Sequence, residues 1–156
     1  MKEATFKGIS FGLTSSTITA LGLLVGLSGF AESKGVLIGG LLTIALADSF
    51  SDALGVHISE ESEENSNRNV WAATFGTLFS KLIFSASFII PLLLFNVVTA
   101  IYVNIAWGLS LLVILSYIIA KSKKEKPLFV IGEHVTIAIV VVILSRFIGL
   151  WINSVF

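Results

Sequence analysis

The sequence predicts an all-α membrane protein built from five transmembrane helices. Of its 156 residues, 55% are hydrophobic and 13% are charged, whereas a soluble domain carries about 25% charged residues. The mean hydropathy is +0.96. Five apolar segments are each long enough to cross a bilayer, which takes about 20 residues: 8–30, 35–58, 71–95, 97–120 and 128–152. No link between them is long enough for a second domain, so one helical bundle is expected.

Composition and charge exclude several classes of protein. Basic and acidic residues number 10 each, so the formal net charge is zero and no nucleic-acid partner is expected. The chain has no cysteine, which excludes disulfides, thiolate metal sites and cysteine nucleophiles. No complete catalytic motif is present, so we do not expect an enzyme.

Basic residues in the short links predict the orientation in the membrane. With five spans, the N-terminus and the second and fourth links share one side. Because short cytoplasmic links are enriched in lysine and arginine, the N-terminus is expected to face the cytoplasm. The compact links and the lack of a recognisable targeting segment favour a prokaryotic plasma membrane. The basic side holds Lys2, Lys7, Arg68, Lys121, Lys123, Lys124 and Lys126, and the other side holds only Lys34.

The first span is rich in glycine and in hydroxyl-bearing residues. GxxxG spacing occurs at positions 8 and 12 and at 22 and 26, and again at 35 and 39 in the second span. Such faces let helix backbones approach closely, either between the first two helices of one chain or between two copies in a homodimer. Thr14 and Ser15 belong to a hydroxyl cluster that could line a polar path or bond to carbonyls of its own helix.

The second span carries two aspartates in an apolar setting, Asp48 and Asp52. On a helix they lie one turn apart and share a face. Acidic residues in hydrocarbon are costly, and they usually mark routes of ions or protons. The alternative is that protonation or a basic partner neutralises them.

The depths of other ionisable side chains suggest partners for these acids. At 1.5 Å of rise per residue, Asp48 and Lys81 both lie roughly 15 Å from the inner ends of their helices, so they can meet near the midplane. Asp52 lies roughly 9 Å deep, and Glu133 and His134 of the fifth span lie at a similar depth. Carboxylates with an imidazole suit divalent ions such as Mn²⁺, Fe²⁺ or Zn²⁺. The alternative for His134 is a packed, hydrogen-bonded histidine.

An acidic run follows the second span and includes Glu60, Glu63 and Glu64. On its own, such a run is typical of a solvated loop. Its position below Asp52 makes these glutamates candidates for collecting cations at the cytoplasmic surface.

Three segments resemble the vacuolar iron transporter (VIT) family. The first helix, KGISFGLTSSTITALGLLVGLSG, is similar to the family's hydroxyl- and glycine-rich first helix. The second, GVLIGGLLTIALADSFSDALGVHISEESE, resembles a small-residue helix that ends in a SMALGEYLS-like motif and an acidic continuation. The fifth, FVIGEHVTIAIVVVILSRFIGLWI, resembles the closing helix. The resemblance implies a dimeric five-helix metal transporter with a path along the first two helices.

This chain departs from the family pattern at several positions. The family's first-helix aspartate falls on Phe11, its second-helix methionine on Asp52, and the following glutamate on Val56. His57 occupies a tyrosine-like position. The family's cytoplasmic metal-binding helices are reduced to the link at 59–69. The resemblance therefore implies a divergent member whose site is richer in oxygen ligands.

The leading hypothesis is a divalent-metal transporter for Fe²⁺ or Mn²⁺, with Zn²⁺ and Co²⁺ as further candidates and metal–proton exchange as the coupling. Asp48 and Asp52 would bind the ion, and Glu133 or His134 would complete the site. Lys81 would occupy Asp48 when the metal is absent. The metal is then a substrate and not a resident cofactor. The alternatives are a membrane scaffold or metal-sensing partner that uses the acidic run and, less favoured, a lipid enzyme.

Overall fold

The computed structural model describes residues 2–31, 33–63 and 65–156, and it contains no strand in these ranges. Five helices are long and apolar enough to cross a membrane, which confirms the prediction of an all-α protein with five such helices. The helices are α1 (Lys2–Leu27), α2 (Lys34–Ser62), α3 (Asn67–Ser87), α4 (Ile89–Leu94), α5 (Val97–Lys123) and α6 (Pro127–Val155).

The helices extend beyond the apolar segments at several ends. One such extension is in α2, which continues through Ser62 and not only to position 58. Glutamate is a good helix former, so the acidic run is helical up to this point and is not a loop. The first helix likewise begins at Lys2, before its apolar segment.

The third span is interrupted near its C-terminal end. Phe88 separates α3 from the short α4, and Pro91 lies inside α4. Proline has no amide hydrogen and its ring clashes with the carbonyl four residues earlier, so the helix breaks before it. The two pieces, Asn67–Leu94, together form one candidate span.

A side-chain cap, a residue with left-handed backbone conformation and a proline mark the boundaries of α5 and α6. Asn96 begins α5, and its side chain accepts a hydrogen bond from the amide of Thr99 at 3.0 Å. Lys124 ends α5, because its backbone adopts the left-handed conformation with φ of 57°. Pro127 then begins α6, where its missing amide hydrogen costs nothing. Both boundaries fall in gaps between the predicted apolar segments, at position 96 and within 121–127.

Helix α1 lies at the centre of the bundle and packs against α2, α3, α5 and α6. Helix α2 also packs against α3, and α5 against α6. The starts of α1, α3 and α6 and the ends of α2 and α5 lie at the same end of the bundle, which holds most of the lysines and is called the basic end below.

Glycines allow the tightest of these contacts. A Cβ atom on Gly8 would collide with the carbonyl oxygen of Ala73, and one on Gly12 would lie 2.7 Å from the carbonyl oxygen of Thr77. The first GxxxG pair therefore serves packing inside the chain, but against α3 and not against α2. Gly39 differs, because a Cβ there would meet nothing within 4 Å.

Replacement of these glycines by alanine tests the close packing. Gly8→Ala is expected to lower the free energy of unfolding by about 1–3 kcal/mol, because backbone must move to accept the methyl group. Gly132→Ala is the matched control, because a Cβ there would also meet nothing within 4 Å. It should leave stability unchanged or raise it by about 0.5–1 kcal/mol, since alanine favours helix. Thermal unfolding in detergent, followed by circular dichroism, measures both. Equal melting of Gly8→Ala and the parent would contradict the packing.

Candidate functional site

The ammonium group of Lys81 lies in the interior of the bundle, although the residue is charged. Lys81 is 1% exposed. Its Nζ lies 2.6 Å from Oδ2 of Asp48, donates to Oγ of Ser15 at 2.8 Å, and contacts Oδ2 of Asp52. An ammonium group has three hydrogens, and here there is one oxygen acceptor for each of them. We call Ser15, Asp48, Asp52 and Lys81 the charge cluster.

Ser15 completes the charge cluster by bonding to two of its members. Its hydroxyl accepts from Lys81 and donates to Oδ2 of Asp52 at 2.6 Å. Thr14 behaves differently, because its hydroxyl donates to the carbonyl of Ser10 in its own helix at 2.9 Å. Of the two proposed path-lining residues, only Ser15 therefore contacts the charged groups.

Three helices position the charge cluster. Asp48 and Asp52, which the sequence predicts to share one face of α2, both present their carboxylates to α3. The contact of Asp52 with Lys81 differs from the prediction, which placed Asp52 beside Glu133 and His134. On α1, Gly12 precedes Ser15 by one turn, and a Cβ atom on Gly12 would lie 3.2 Å from the amide nitrogen of Lys81. The absence of a side chain at Gly12 lets α3 come close enough for Lys81 to reach both α1 and α2. The pairing of Asp48 with Lys81 that equal depth predicts is present.

The two aspartates are the accessible part of the charge cluster. Their side chains are 28% and 21% exposed, whereas that of Lys81 is 1% exposed. With both carboxylates ionised and the lysine protonated, the charge cluster carries one net negative charge. Such a charge in an apolar setting is unfavourable without a further cation. The arrangement can therefore attract a cation to the carboxylates from the exposed side.

A cavity of about 490 Å³ leads from Asp52 along α1 and α2 towards the basic end. Its deep end is the exposed edge of the charge cluster, and its other end is formed by an ion pair between the two helices. The lining includes Lys7, Phe11, Ser51, Asp52, Ser59 and Glu60. The cavity thus extends from the charge cluster to Glu60, the first residue of the acidic run.

Glu60 is not a free, solvated glutamate. Its side chain is 4% exposed, it forms an ion pair with Lys7, and its Oε2 accepts from the side-chain nitrogen of Asn65 at 3.0 Å. Glu63 is 56% exposed and lies 3.7 Å from the same lysine ammonium. Glu64 lies outside the described residues. Of the three glutamates expected to collect cations, Glu60 is already paired.

Glu133 and His134 lie away from the charge cluster. They belong to α6, which packs against α1 and α5, whereas α2 packs against α1, α3 and α4. Nδ1 of His134 lies 2.7 Å from Oγ of Ser116 on α5, and Glu133 is exposed on the surface of α6. Among residues 2–31, 33–63 and 65–156, no group of three or more histidines and acids could hold a metal ion. The structure does not bring these two residues to Asp48 and Asp52.

Two further ionisable residues in the helices, His57 and Arg146, have structural partners. Nδ1 of His57 lies 3.0 Å from the hydroxyl of Thr74, and its ring packs edge-on against Trp71 with centroids 4.7 Å apart. Arg146 donates to the carbonyl of Ser28 at 3.2 Å. These contacts account for both side chains without an ion-binding role.

Sequence reasoning missed the role of Lys7, which was counted only as a marker of orientation. Lys7 lies near the start of α1 and Glu60 near the end of α2. The two positions are at the same level in antiparallel neighbouring helices, so the depth argument that paired Asp48 with Lys81 could have paired them as well.

No protein-family model, curated protein or solved structure matches this chain.

Removal of the lysine charge tests the balance of the charge cluster. Lys81→Met leaves two interior carboxylates without their counterion and is expected to lower the free energy of unfolding by about 3–5 kcal/mol. Adding Asp52→Asn to this variant should recover part of the loss, because one unpaired charge is removed. Equilibrium unfolding in bicelles measures the series.

Lys126→Met is the control for the loss of a lysine at an exposed position, and its effect should stay within about 0.5 kcal/mol. If the free energy of unfolding of Lys81→Met equals that of the parent, the ion pairs of Lys81 do not stabilise the bundle.

Proposed function

We propose that the protein is a divalent-cation transporter in which Asp48 and Asp52 bind the ion. The observation that supports this proposal is the position of the Lys81 ammonium, which is held by two carboxylates and a hydroxyl inside the bundle. A cation at that point would meet the same oxygen atoms. Lys81 then acts as the resident cation that a transported ion must displace.

The ligand atoms favour a hard divalent ion. Carboxylate and hydroxyl oxygens suit Mn²⁺ and Fe²⁺ better than they suit soft ions, and the described chain offers no sulfur or imidazole ligand at this place. Two carboxylates also attract a doubly charged ion twice as strongly as a singly charged ammonium at the same distance. We therefore propose Fe²⁺ or Mn²⁺ as the substrate, with Zn²⁺ and Co²⁺ less favoured than the sequence alone indicated.

Charge balance supports exchange of the metal for protons. A divalent ion neutralises the two aspartates, so a lysine that remained protonated beside them would leave one net positive charge in the membrane interior. Such a charge is costly there. Release of the lysine proton as the metal binds would avoid this cost in the loaded state, which supports exchange of metal for protons.

The cavity beside α1 and α2 supplies the route to the site. It reaches Asp52 from the basic end, which we propose is the cytoplasmic side because short links rich in lysine and arginine stay there. The exposed Glu63 lies near the start of this route. Glu60, which is paired with Lys7, is proposed to hold α1 and α2 together at this level.

A homodimer through α2 is part of the proposal. The exposed face of α2 carries a series of small residues at four-residue spacing, and small residues let transmembrane helices pack closely. A second copy on this face would cover the exposed side of the cavity. The series is Gly35, Gly39, Thr43, Ala47, Ser51, Gly55 and Ser59.

A distant relation to the VIT family fits this picture and remains a proposal. It is supported by the glycine- and hydroxyl-rich α1 and by the small-residue pattern of α2. Phe11, at the position of the family's first-helix aspartate, lines the same cavity as Asp52. In this chain, the acidic ligands would both lie on α2.

Transport by purified protein in liposomes tests the proposed function. The Asp48→Asn, Asp52→Asn variant is expected to lose about tenfold or more of the Fe²⁺ or Mn²⁺ uptake rate, because both negatively charged ligands are removed. Uptake is measured for Fe²⁺, Mn²⁺, Zn²⁺, Co²⁺ and Mg²⁺, with a pH probe inside the vesicles to detect counter-movement of protons.

Glu133→Gln is the matched control, since it removes an acid from α6 that does not contact the charge cluster. Its uptake should remain within about twofold of the parent rate, as expected for an exposed residue away from the site. Parent-like uptake by the double aspartate variant would refute the proposal, and loss of uptake in Glu133→Gln would move the site to α6.

A further inference from the structure

A second cavity lies at the basic end, between the start of α1 and the end of α5. Its volume is about 680 Å³. It is separate from the cavity that reaches Asp52, although Lys7 lines both. Its lining includes Glu3, Phe6, Lys7, Ser10, Ile119 and Lys123.

The charged residues that line this cavity lie towards the basic end of the bundle. Helix α1 runs into the bundle from Lys7 to Ser10, while α5 runs out of it from Ile119 to Lys123. The two lysines therefore lie near the basic end on the helices that border the cavity, and Ile119 lies one turn deeper on α5 than Lys123. One acid, Glu3, also lines the cavity, and further lysines follow on the link after α5.

The side chain of Ser10 has an unused hydrogen-bonding group. Its Oγ is buried and has no hydrogen-bond partner among the described residues. A buried polar atom without a partner is unfavourable, and a ligand that accepts its hydrogen would remove that cost. Lys7 also has donor capacity left, because its ammonium carries three hydrogens and its neighbours are Glu60 and the more distant Glu63.

We propose that this cavity binds the headgroup phosphate of an anionic phospholipid. The phosphate would lie between Lys7 and Lys123 and accept from Ser10, while an acyl chain would follow the apolar wall formed by Phe6, Ile118 and Ile119. Basic pockets between transmembrane helices at the membrane surface are suited to anionic headgroups. The apolar wall beside the lysines favours a lipid over free phosphate. This inference does not depend on the proposed transport activity.

Lipid binding to the purified full chain tests the site. Native mass spectrometry in 0.15 M salt compares phosphatidylglycerol with phosphatidylcholine of the same chain length. The parent should prefer phosphatidylglycerol, and Lys123→Gln should weaken that binding about tenfold, the loss expected for a hydrogen bond to a charged group. Lys126→Gln removes the same charge near the cavity without lining it, so its loss should be about twofold or less, because salt screens distant charges.

Ser10→Ala gives a second variant that keeps the fold. It removes a hydroxyl with no protein partner, so the melting temperature in phosphatidylcholine should not fall, while phosphatidylglycerol binding should weaken about threefold. Equal losses in Lys123→Gln and Lys126→Gln would overturn the proposal in favour of diffuse attraction to the surface. Binding of glycerol phosphate as tightly as phosphatidylglycerol would overturn the lipid as occupant, and so would equal affinity of the parent for the two lipids.

Discussion

The contact on which the bundle depends is that of the Lys81 ammonium with Asp48 and Asp52. None of these groups is favourable in an apolar interior by itself, because each loses its water. Together, and with Ser15, they satisfy all three hydrogens of the ammonium. This requirement ties α1, α2 and α3 to one another at a single level. It also explains why α1 needs glycine one turn away, since α3 must approach closely for the lysine to reach.

The same contact determines what the site can do. A lysine held by two carboxylates keeps the site occupied by a cation even when no ion is bound. In the proposed transporter, an incoming ion would have to bind the oxygens more strongly than the ammonium does, which favours a doubly charged ion over a singly charged one. The aspartates are more exposed than the lysine, so an ion can reach them before the lysine leaves. Under the proposed function, Lys81 would compete with the ion, and the two aspartates would give the ion access to the site.

The sequence predicts levels along the membrane normal better than positions around the bundle axis. Apolar length and the rise per residue were enough to identify five helices and to pair Asp48 with Lys81. They also placed Glu133 and His134 beside Asp52, because these residues share its depth. The structure puts α6 against α1 and α5, and this arrangement depends on close helix contacts that depth does not determine. Angular position is a property of packing and was not available from one sequence.

Composition misled the prediction for the acidic run for a related reason. Several glutamates in succession indicate exposure to water, yet glutamate also extends helices, and α2 carries Glu60 to the level of Lys7. Lys7 then lines two cavities, one that ends at Asp52 and one that contains Lys123. An anion bound between Lys7 and Lys123 would compete with Glu60 for the same ammonium. If the proposed lipid binds there, the contact between α1 and α2 at this level would depend on the charge of its headgroup.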